Sequence, residues 1–379
     1  MEMKEIRDQI DAIDRQILDL FRERMHLAGE MADYKRSKDL PVFNMQRERE
    51  ILDRTAEEAG PDLERYAVYL FSLLMDLSRS WQHTKLQLDT PLRQSINKAL
   101  QETPALFPAS ATVACQGVEG AYSQDAAEKI FQRPRISFFN SFDSVFTAVE
   151  KGLCKYGILP IENSSYGSVN RVYDLMRRHH FHISRGAKLW IDHKLLAKKG
   201  TKLSDIKEII SHEQALGQCS PFIEGLTGIK TTACANTAIA AQMVAESGRS
   251  DIACISSRDC ARIYNLEVIA EDIQISANNY TRFICISKDM EIYPGANRLS
   301  IMMSLPHRPM SLYHTIARFS TLGVNLTKLE SRPIPGSDFE FMFYLEMDAS
   351  LADSNILNLI CELDQEPDTF VYLGNYTEV

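Results

Sequence analysis

Residues 6–31 carry one apolar stripe that only a helix can assemble, and cations interrupt it. Ile6, Ile10, Ile13, Ile17, Leu20, Leu27 and Met31 recur in steps of four and three, with one seven-residue gap, the spacing of a single buried helical face. Continued in register, the stripe passes through Arg24 and Lys35. A cation on the core side of a helix is costly unless an anion meets it. That anion is a side chain or a ligand, and the rest of the chain favours a ligand.

At 379 residues the chain exceeds the roughly 250–300 at which single cores stop growing, so two or three domains are expected. No run reaches the roughly 18 apolar residues of a membrane span. Met1-Glu2-Met3-Lys4-Glu5 has no apolar signal segment, so a cytoplasmic protein with no membrane contact is expected. The eight cysteines are scattered without a CxxC, which fits reduced thiols better than a disulfide frame or a zinc site. A net charge of −9 argues against nucleic acid. It leaves room for an anionic small molecule in a local cationic pocket.

Residues 1–88 read as three helices. The first runs from about Lys4 to Lys38 and stops at Pro41, and the second starts at an Asn44 cap. The third carries Leu63, Ala67, Leu70, Leu74, Ser78 and Trp81. Residues 89–110, with Pro91, Pro104 and Pro108, read as a linker. Over 111–290, short apolar runs such as Tyr156–Pro160, Ile206–Ile210, Ile252–Ile255 and Arg282–Ile286 alternate with helical patterns. That texture predicts an α/β domain with largely parallel sheets. Residues 297–379 give a ferredoxin-like βαββαβ order from Leu299–Leu305, Leu312–Ser320, Val324–Arg332, Phe339–Met347, Asn355–Leu363 and Phe370–Tyr376.

On or beside the helical stripes fall Arg24, Lys35, Arg47, Glu48, Ser78 and Gln82. Arg7 lies off its own stripe and suits contact with a second chain; so long a helix closes naturally in an intertwined homodimer or higher oligomer. Taken singly, each charge reads as an ordinary surface ion pair. Together, cations, a carboxylate and an amide from three helices suit a small dicarboxylate with an ether oxygen.

At these residues the region resembles the all-helical chorismate mutase family. The resemblance implies a cofactor-free rearrangement of chorismate to prephenate, driven by restraint and electrostatics. It implies that Arg24, Arg47 and Arg7 of a partner chain hold the carboxylates, with Ser78 beside them. Lys35 and Gln82 would face the breaking ether oxygen and Glu48 the ring hydroxyl. Asn44 stands where some members carry an aspartate, and an N-cap is its other reading.

In the α/β stretch, Gly117-Val118-Glu119-Gly120-Ala121-Tyr122-Ser123 enters a helix near Gln124, as an anion-binding turn or simply a tight one. No GxGxxG occurs, which counts against a nicotinamide enzyme. Polar clusters follow apolar strands at Pro160–Val169, Ser211–Cys219 and Asn279–Phe283, where open α/β sheets bind ligands. Glu162-Asn163-Ser164, Ser211-His212 with Gln218-Cys219, and Thr281-Arg282-Phe283 together resemble the prephenate dehydratase family. The resemblance implies a bilobed, periplasmic-binding-protein-like domain that expels hydroxyl and CO2 from prephenate. Thr281 would donate a hydrogen bond to the departing oxygen, a weak hydroxyl acid serving better so than as a proton source. Asn163, Ser164, Ser211 and Gln218 would line the pocket. Arg282 reads either as a carboxylate anchor or as a structural ion pair, and His212 as a proton donor or a backbone cap. His179-His180-Phe181-His182 lacks matching partners, so no metal is expected.

Asn325–Pro333 and the following strand resemble the ACT regulatory module. This implies phenylalanine as effector, with Leu312, Glu330, Ser331 and Arg332 at its site, and inhibition by population shift. Pro309-Met310-Ser311-Leu312 stands where members show a Gly-Ala-Leu run, which alters that site's shape. The whole reads as a bifunctional isomerase and lyase of phenylalanine biosynthesis without cofactor. The alternative from another class is a ligand-binding regulator.

Overall fold

The structure, a computed structural model, describes residues 2–38, 40–86, 89–276, 278–307, 309–334, 340–365 and 369–379. The chain divides into two compact units, one of residues 1–95 and 303–370, the other of 96–302 and 371–379.

Four helices open the chain: α1 (Met3–Ser37), α2 (Met45–Ala59), α3 (Glu64–Leu86) and α4 (Pro91–Glu102). The Glu5 carboxylate accepts the Glu2 backbone N–H and closes the start of α1, and Lys35 and Arg36 suit its negative C-terminal end. Asn44 caps α2 by accepting the Arg47 N–H at 3.0 Å. Helix α3 packs against both α1 and α2.

Two expectations are corrected here. The stripe from Ile6 to Met31 is 45–65% exposed within one chain, because only Ala28 and Ala32 of α1 are buried. The 89–110 stretch is no plain linker. Pro91 begins α4, where its missing N–H costs nothing, Thr90 accepts the Arg93 N–H, and Ile96 and Ala99 are buried.

The second unit carries β1 (Thr112–Gln116), α5 (Tyr122–Ile130), β2 (Arg135–Phe139), α6 (Phe142–Glu150), β3 (Tyr156–Asn163), β4 (Gly167–Ser168), α7 (Asn170–His179) and β5 (His182–Trp190). It continues through β6 (Lys194–Ala197), β7 (Glu208–His212), α8 (Glu213–Gln218), α9 (Ser220–Glu224), β8 (Lys230–Cys234) and α10 (Thr237–Glu246). Then come β9 (Ile252–Ser256), α11 (Arg258–Ile263), β10 (Glu267–Ala270) and β11 (Tyr280–Ser287). One sheet has the order β2-β1-β3-β11-β5, with β4 on β3, and the other β10-β6-β9-β7-β8.

The sheets are mixed rather than largely parallel. β11 runs antiparallel to β3 and β5, and β6 antiparallel to β9 and β10. The chain passes between the sheets twice, between β5 and β6 and between β10 and β11, and strands that arrive from the other sheet enter against the prevailing direction. Gly120 is needed for packing, since at φ 87° its missing side chain leaves room for Cys260 and Ile263. The Gly117–Ser123 turn is thus held by the core beneath it.

The last elements are β12 (Arg298–Ser304), α12 (Ser311–Thr321), β13 (Asn325–Pro333), β14 (Phe341–Asp348), α13 (Ser354–Asp364) and β15 (Phe370–Tyr376). Their sheet order is β13-β14-β12-β15, the ferredoxin-like arrangement that the element order predicts. Phe339, the expected start of the third strand, lies outside the described residues.

Candidate active sites

In the helical region, two cations of α1 are half-buried. Arg24 donates to the Ser78 hydroxyl and, at 2.8 Å, to the Leu74 carbonyl. Lys35 donates to the Val42 carbonyl at 2.5 Å. Burial lowers its ammonium pKa; Glu48 opposes that and Arg79 adds to it, so the three charges share one field. Burial likewise lowers the pKa of Arg24. Ser78 and Gln82 are both buried, and Gln82 Oε1 has no hydrogen-bond partner among the described residues. A buried polar atom left unpaired in this way calls for an explanation.

Arg79 is the residue that sequence reasoning missed. It forks between Glu48 and Asp76 and is itself nearly buried. One position beyond Ser78, it reads as an ordinary helix-surface arginine, and only the packing of α2 on α3 turns it inward. Arg7 and Arg47 are exposed in the single chain, and Arg47 pairs with Glu50 at 3.2 Å. Arg7 stands about 25 Å along α1 from Arg24 at helical rise, too far to join the same cluster. Asn44 serves as the α2 cap.

In the second unit, Asn163, Gln218, Asn279 and Thr281 form one buried polar network. Asn163 Nδ2 donates to Thr281 Oγ1 and to Asn279 Oδ1, both at 2.9 Å. Asn279 Nδ2 donates to Gln218 Oε1 at 2.9 Å. Asn163 ends β3 and Thr281 lies near the start of β11, in register across the sheet; Gln218 ends α8. Next to them is a cavity of about 250 Å³ lined by Ser165, Tyr166, Gly217, Gln218, Gln274, Ile275, Ser276 and Asn279. A Cβ at position 217 would collide with the Tyr166 hydroxyl, so glycine there lets Tyr166 close over α8.

Three expected pocket residues stand apart from this network. The Ser211 hydroxyl is fully buried and donates to the Ile255 carbonyl at 2.6 Å, so it joins β7 to β9. Ser164 accepts the Tyr280 N–H and donates to the Asn278 carbonyl, both at 2.9 Å, and fastens the loop after β3 to β11. Arg282 donates to Glu378 at 2.7 Å and to Glu162 at 3.2 Å, which makes the structural ion pair the reading its contacts favour. His212 Nδ1 accepts the Gln214 N–H at 3.3 Å, the contact of a helix cap. Sequence reasoning also passed over His193, whose Nε2 lies 2.8 Å from Gln218 Oε1; the signal was a polar Asp192-His193-Lys194 set between apolar runs.

In the C-terminal elements, Glu330 pairs with Lys328 at 3.5 Å, and Lys328, Glu330 and Arg332 share one face of β13 while Ser331 faces the other way. Leu312 sits in the first turn of α12, which packs on β13.

The chorismate mutase type II family model matches residues 6–83 and the prephenate dehydratase model residues 113–291. The bifunctional chorismate mutase/prephenate dehydratase of Escherichia coli K12 is 31% identical over 381 residues, covering 98% of this chain and 95% of the relative. An Arabidopsis thaliana chloroplastic arogenate dehydratase/prephenate dehydratase is 37% identical over 311 residues, covering 79% of this chain and 81% of its own. A prephenate dehydratase from Arthrobacter aurescens, solved in complex with L-Phe, superposes with a TM-score of 0.64 at 28% identity, over 70% of this chain and 89% of that one. Those matches fall on the two clusters separately, and the chain belongs to the bifunctional chorismate mutase/prephenate dehydratase family.

Proposed function

We propose that the two polar clusters are the two active sites, the one on α3 for the mutase and the one at Thr281 for the dehydratase. Chorismate is rearranged to prephenate in the helical region. Prephenate then loses its ring hydroxyl and CO2 to give phenylpyruvate. Neither reaction changes the overall oxidation level, so no redox cofactor is required.

In the mutase site, Arg24 holds a carboxylate, aided by Ser78. Lys35 and Gln82 face the ether oxygen as its bond breaks, Lys35 by its charge and Gln82 through its amide N–H. Glu48, fixed by Arg79, takes the ring hydroxyl. Arg7 comes from a second copy of the chain, and the same pairing would cover the exposed stripe of α1, so a homodimer completes the site. Arg47 belongs to this rim. In the dehydratase site, electrons released as CO2 leaves flow into the ring and displace the hydroxyl, which Thr281 stabilises through its O–H. Asn163 and Gln218 shape the pocket.

The observation that carries this reading is the buried chain of amides ending on Thr281, two of which, Gln218 and Asn279, line the adjoining cavity of about 250 Å³. The C-terminal βαββαβ elements are read as an ACT module that binds phenylalanine near Leu312, Glu330, Ser331 and Arg332 and inhibits turnover. Supporting this are the fold order and the phenylalanine complex of the Arthrobacter relative. A cytoplasmic location is the companion expectation; among the described residues no helix is long and apolar enough to cross a membrane.

Incubation of the purified protein with chorismate, without added cofactor, tests the assignment. Prephenate followed by phenylpyruvate is expected. Prephenate alone would remove the dehydratase, and unchanged chorismate would restore the regulator reading. Arogenate belongs in the same assay, because the Arabidopsis relative is named for both substrates.

A further inference from the structure

The hydrogen-bond directions in the Thr281 network follow from two backbone amides. The N–H groups of Ser165 and Tyr166 both donate to Asn163 Oδ1, at 2.9 and 3.1 Å. A backbone N–H cannot accept, so Oδ1 of Asn163 is fixed as the oxygen and its Nδ2 must donate outward. Asn279 therefore receives on its oxygen and donates from its nitrogen to Gln218 Oε1. Gln218 in turn points its nitrogen back at Asn163 and Asn279, at 3.4 Å to each oxygen. The one remaining neighbour of Gln218 Oε1 among the described residues is His193 Nε2 at 2.8 Å, and it has to carry a proton.

At the other end of the network, Thr281 Oγ1 accepts from Asn163. No acceptor for its own proton is found among the described residues, so that proton is left to be donated. Asn163 is held by the two backbone amides, whereas Asn279 and Gln218 are held only by other side chains. A single reversal would set two oxygens or two NH2 groups against each other in a buried site, where an unmet polar group is costly.

His193 is suited to hold the far end. It is 2% exposed and sits in the first crossing between the two sheets, with its backbone N–H donating to Gln274 of the second crossing at 3.2 Å. Its Nδ1 has no partner among the described residues. Burial lowers its pKa, opposed by the Gln218 bond and by Asp192 and reinforced by His212, which keeps the ring neutral with its proton on Nε2.

We propose that His193 is a positioning residue of the dehydratase: its Nε2–H fixes the Gln218 carboxamide and, through Gln218, that of Asn279, so that both amides face the adjoining cavity in the orientation that matches Asn163. Carboxamides do not pass protons readily, so the ring acts by orientation and is not the acid itself. The inference rests on the assignment of prephenate dehydration to Thr281.

His193→Gln and His193→Asn separate the claim from a general packing role. The glutamine amide nitrogen reaches the place of Nε2, whereas that of asparagine reaches only the place of Nδ1. With prephenate as substrate, the Gln variant is expected to stay within about threefold of wild type. The Asn variant is expected to lose about ten- to a hundredfold in kcat with little change in KM. Equal activity of the two variants, high or low, overturns the proposal. Selective 15N-histidine labelling of the wild-type protein, assigned through the Gln variant, reads the ring directly. A proton on Nε2 and a bare Nδ1 at neutral pH are expected; a proton on Nδ1 or a charged ring overturns the proposal without any variant. A wild-type protein that leaves prephenate untouched would instead overturn the dehydratase assignment, and the nitrogen shifts would still decide the geometry.

Discussion

Thr281 and Arg282 are neighbours in sequence and stand on opposite faces of β11. Thr281 is in register with Asn163 and bonded to it, and Arg282 is in register with Glu162 and bonded to it. A strand alternates its side chains with period two, so one short motif serves two purposes. Its threonine looks into the amide network, and its arginine clamps β3 and, through Glu378, the C-terminal segment.

The two residues should therefore fail in different ways. Thr281→Val keeps shape and loses the hydroxyl, and dehydratase kcat should fall by about 10²–10³, the usual cost of one transition-state donor, with about 1 kcal/mol of stability lost for the Asn163 N–H left unmet. Arg282→Ala leaves two carboxylates facing each other in a mostly buried place and should cost about 3 kcal/mol of stability, measured by urea unfolding. An Arg282→Ala protein of wild-type stability but without dehydratase turnover would return Arg282 to the substrate.

Arg79 links α2 to α3, because it holds Glu48 of α2 and Asp76 of its own α3. Lys35→Ala should abolish mutase turnover while dehydratase turnover on supplied prephenate persists. Arg79→Lys keeps the charge and loses the fork, so mutase kcat should drop by about tenfold or more, the cost of one strong hydrogen bond. Both activities measured on one preparation give the comparison, and parallel loss of both would count against two separate sites.

What was legible in the sequence is what local chemistry decides. The extent of α1, the Asn44 cap, the apolar strands and the βαββαβ order all follow from periodicity and turn residues close in sequence. Pro91 misled because a proline that begins a helix looks the same as one that ends it; the Thr90 cap was the sign to weigh. Strand direction in β6 and β11 depends on where the chain crosses between sheets, which no window along the sequence contains. Ser211 and Ser164 lie within the site motifs, yet their hydroxyls are used by backbone carbonyls. Arg79 and His193 required the reverse inference, from packing to side chain, since neither has a spacing that distinguishes it.

His83 supplies a pH test in the helical region. It follows Gln82 on α3, and burial, with Arg318, Arg79 and Lys35 adding to it, pushes its pKa down to about 4. A histidine near 6.5 when unfolded binds more protons in the unfolded state between those two values. Stability contributed by the neutral ring is therefore full above pH 6.5 and is lost as pH falls toward 4. The loss should approach about 3 kcal/mol at one pKa unit per 1.36 kcal/mol. Urea unfolding followed by Trp81 fluorescence in a Trp190→Phe background, at pH 7 and pH 4.5, measures it. His83→Leu should flatten that difference; an unchanged pH slope would place the acid sensitivity elsewhere.

Met310 adopts φ 72° immediately before α12, a backbone region that costs a residue with a Cβ about 1 kcal/mol or more and costs glycine nothing. No side chain caps the helix there, and the hydroxyl of Ser311 is buried without a hydrogen-bond partner among the described residues. Met310→Gly should therefore raise Tm by about 2–4 °C. Met310→Ala, which keeps the Cβ, should not. The same substitution removes a side chain from the turn that enters the proposed effector helix, so phenylalanine should inhibit Met310→Gly at lower concentration than wild type, measured as dehydratase turnover against added phenylalanine. A rise in Tm with no change in inhibition would confine Met310 to backbone strain. A gain in Tm from alanine equal to that from glycine would remove the strain argument itself, because only glycine is free of the penalty at that φ.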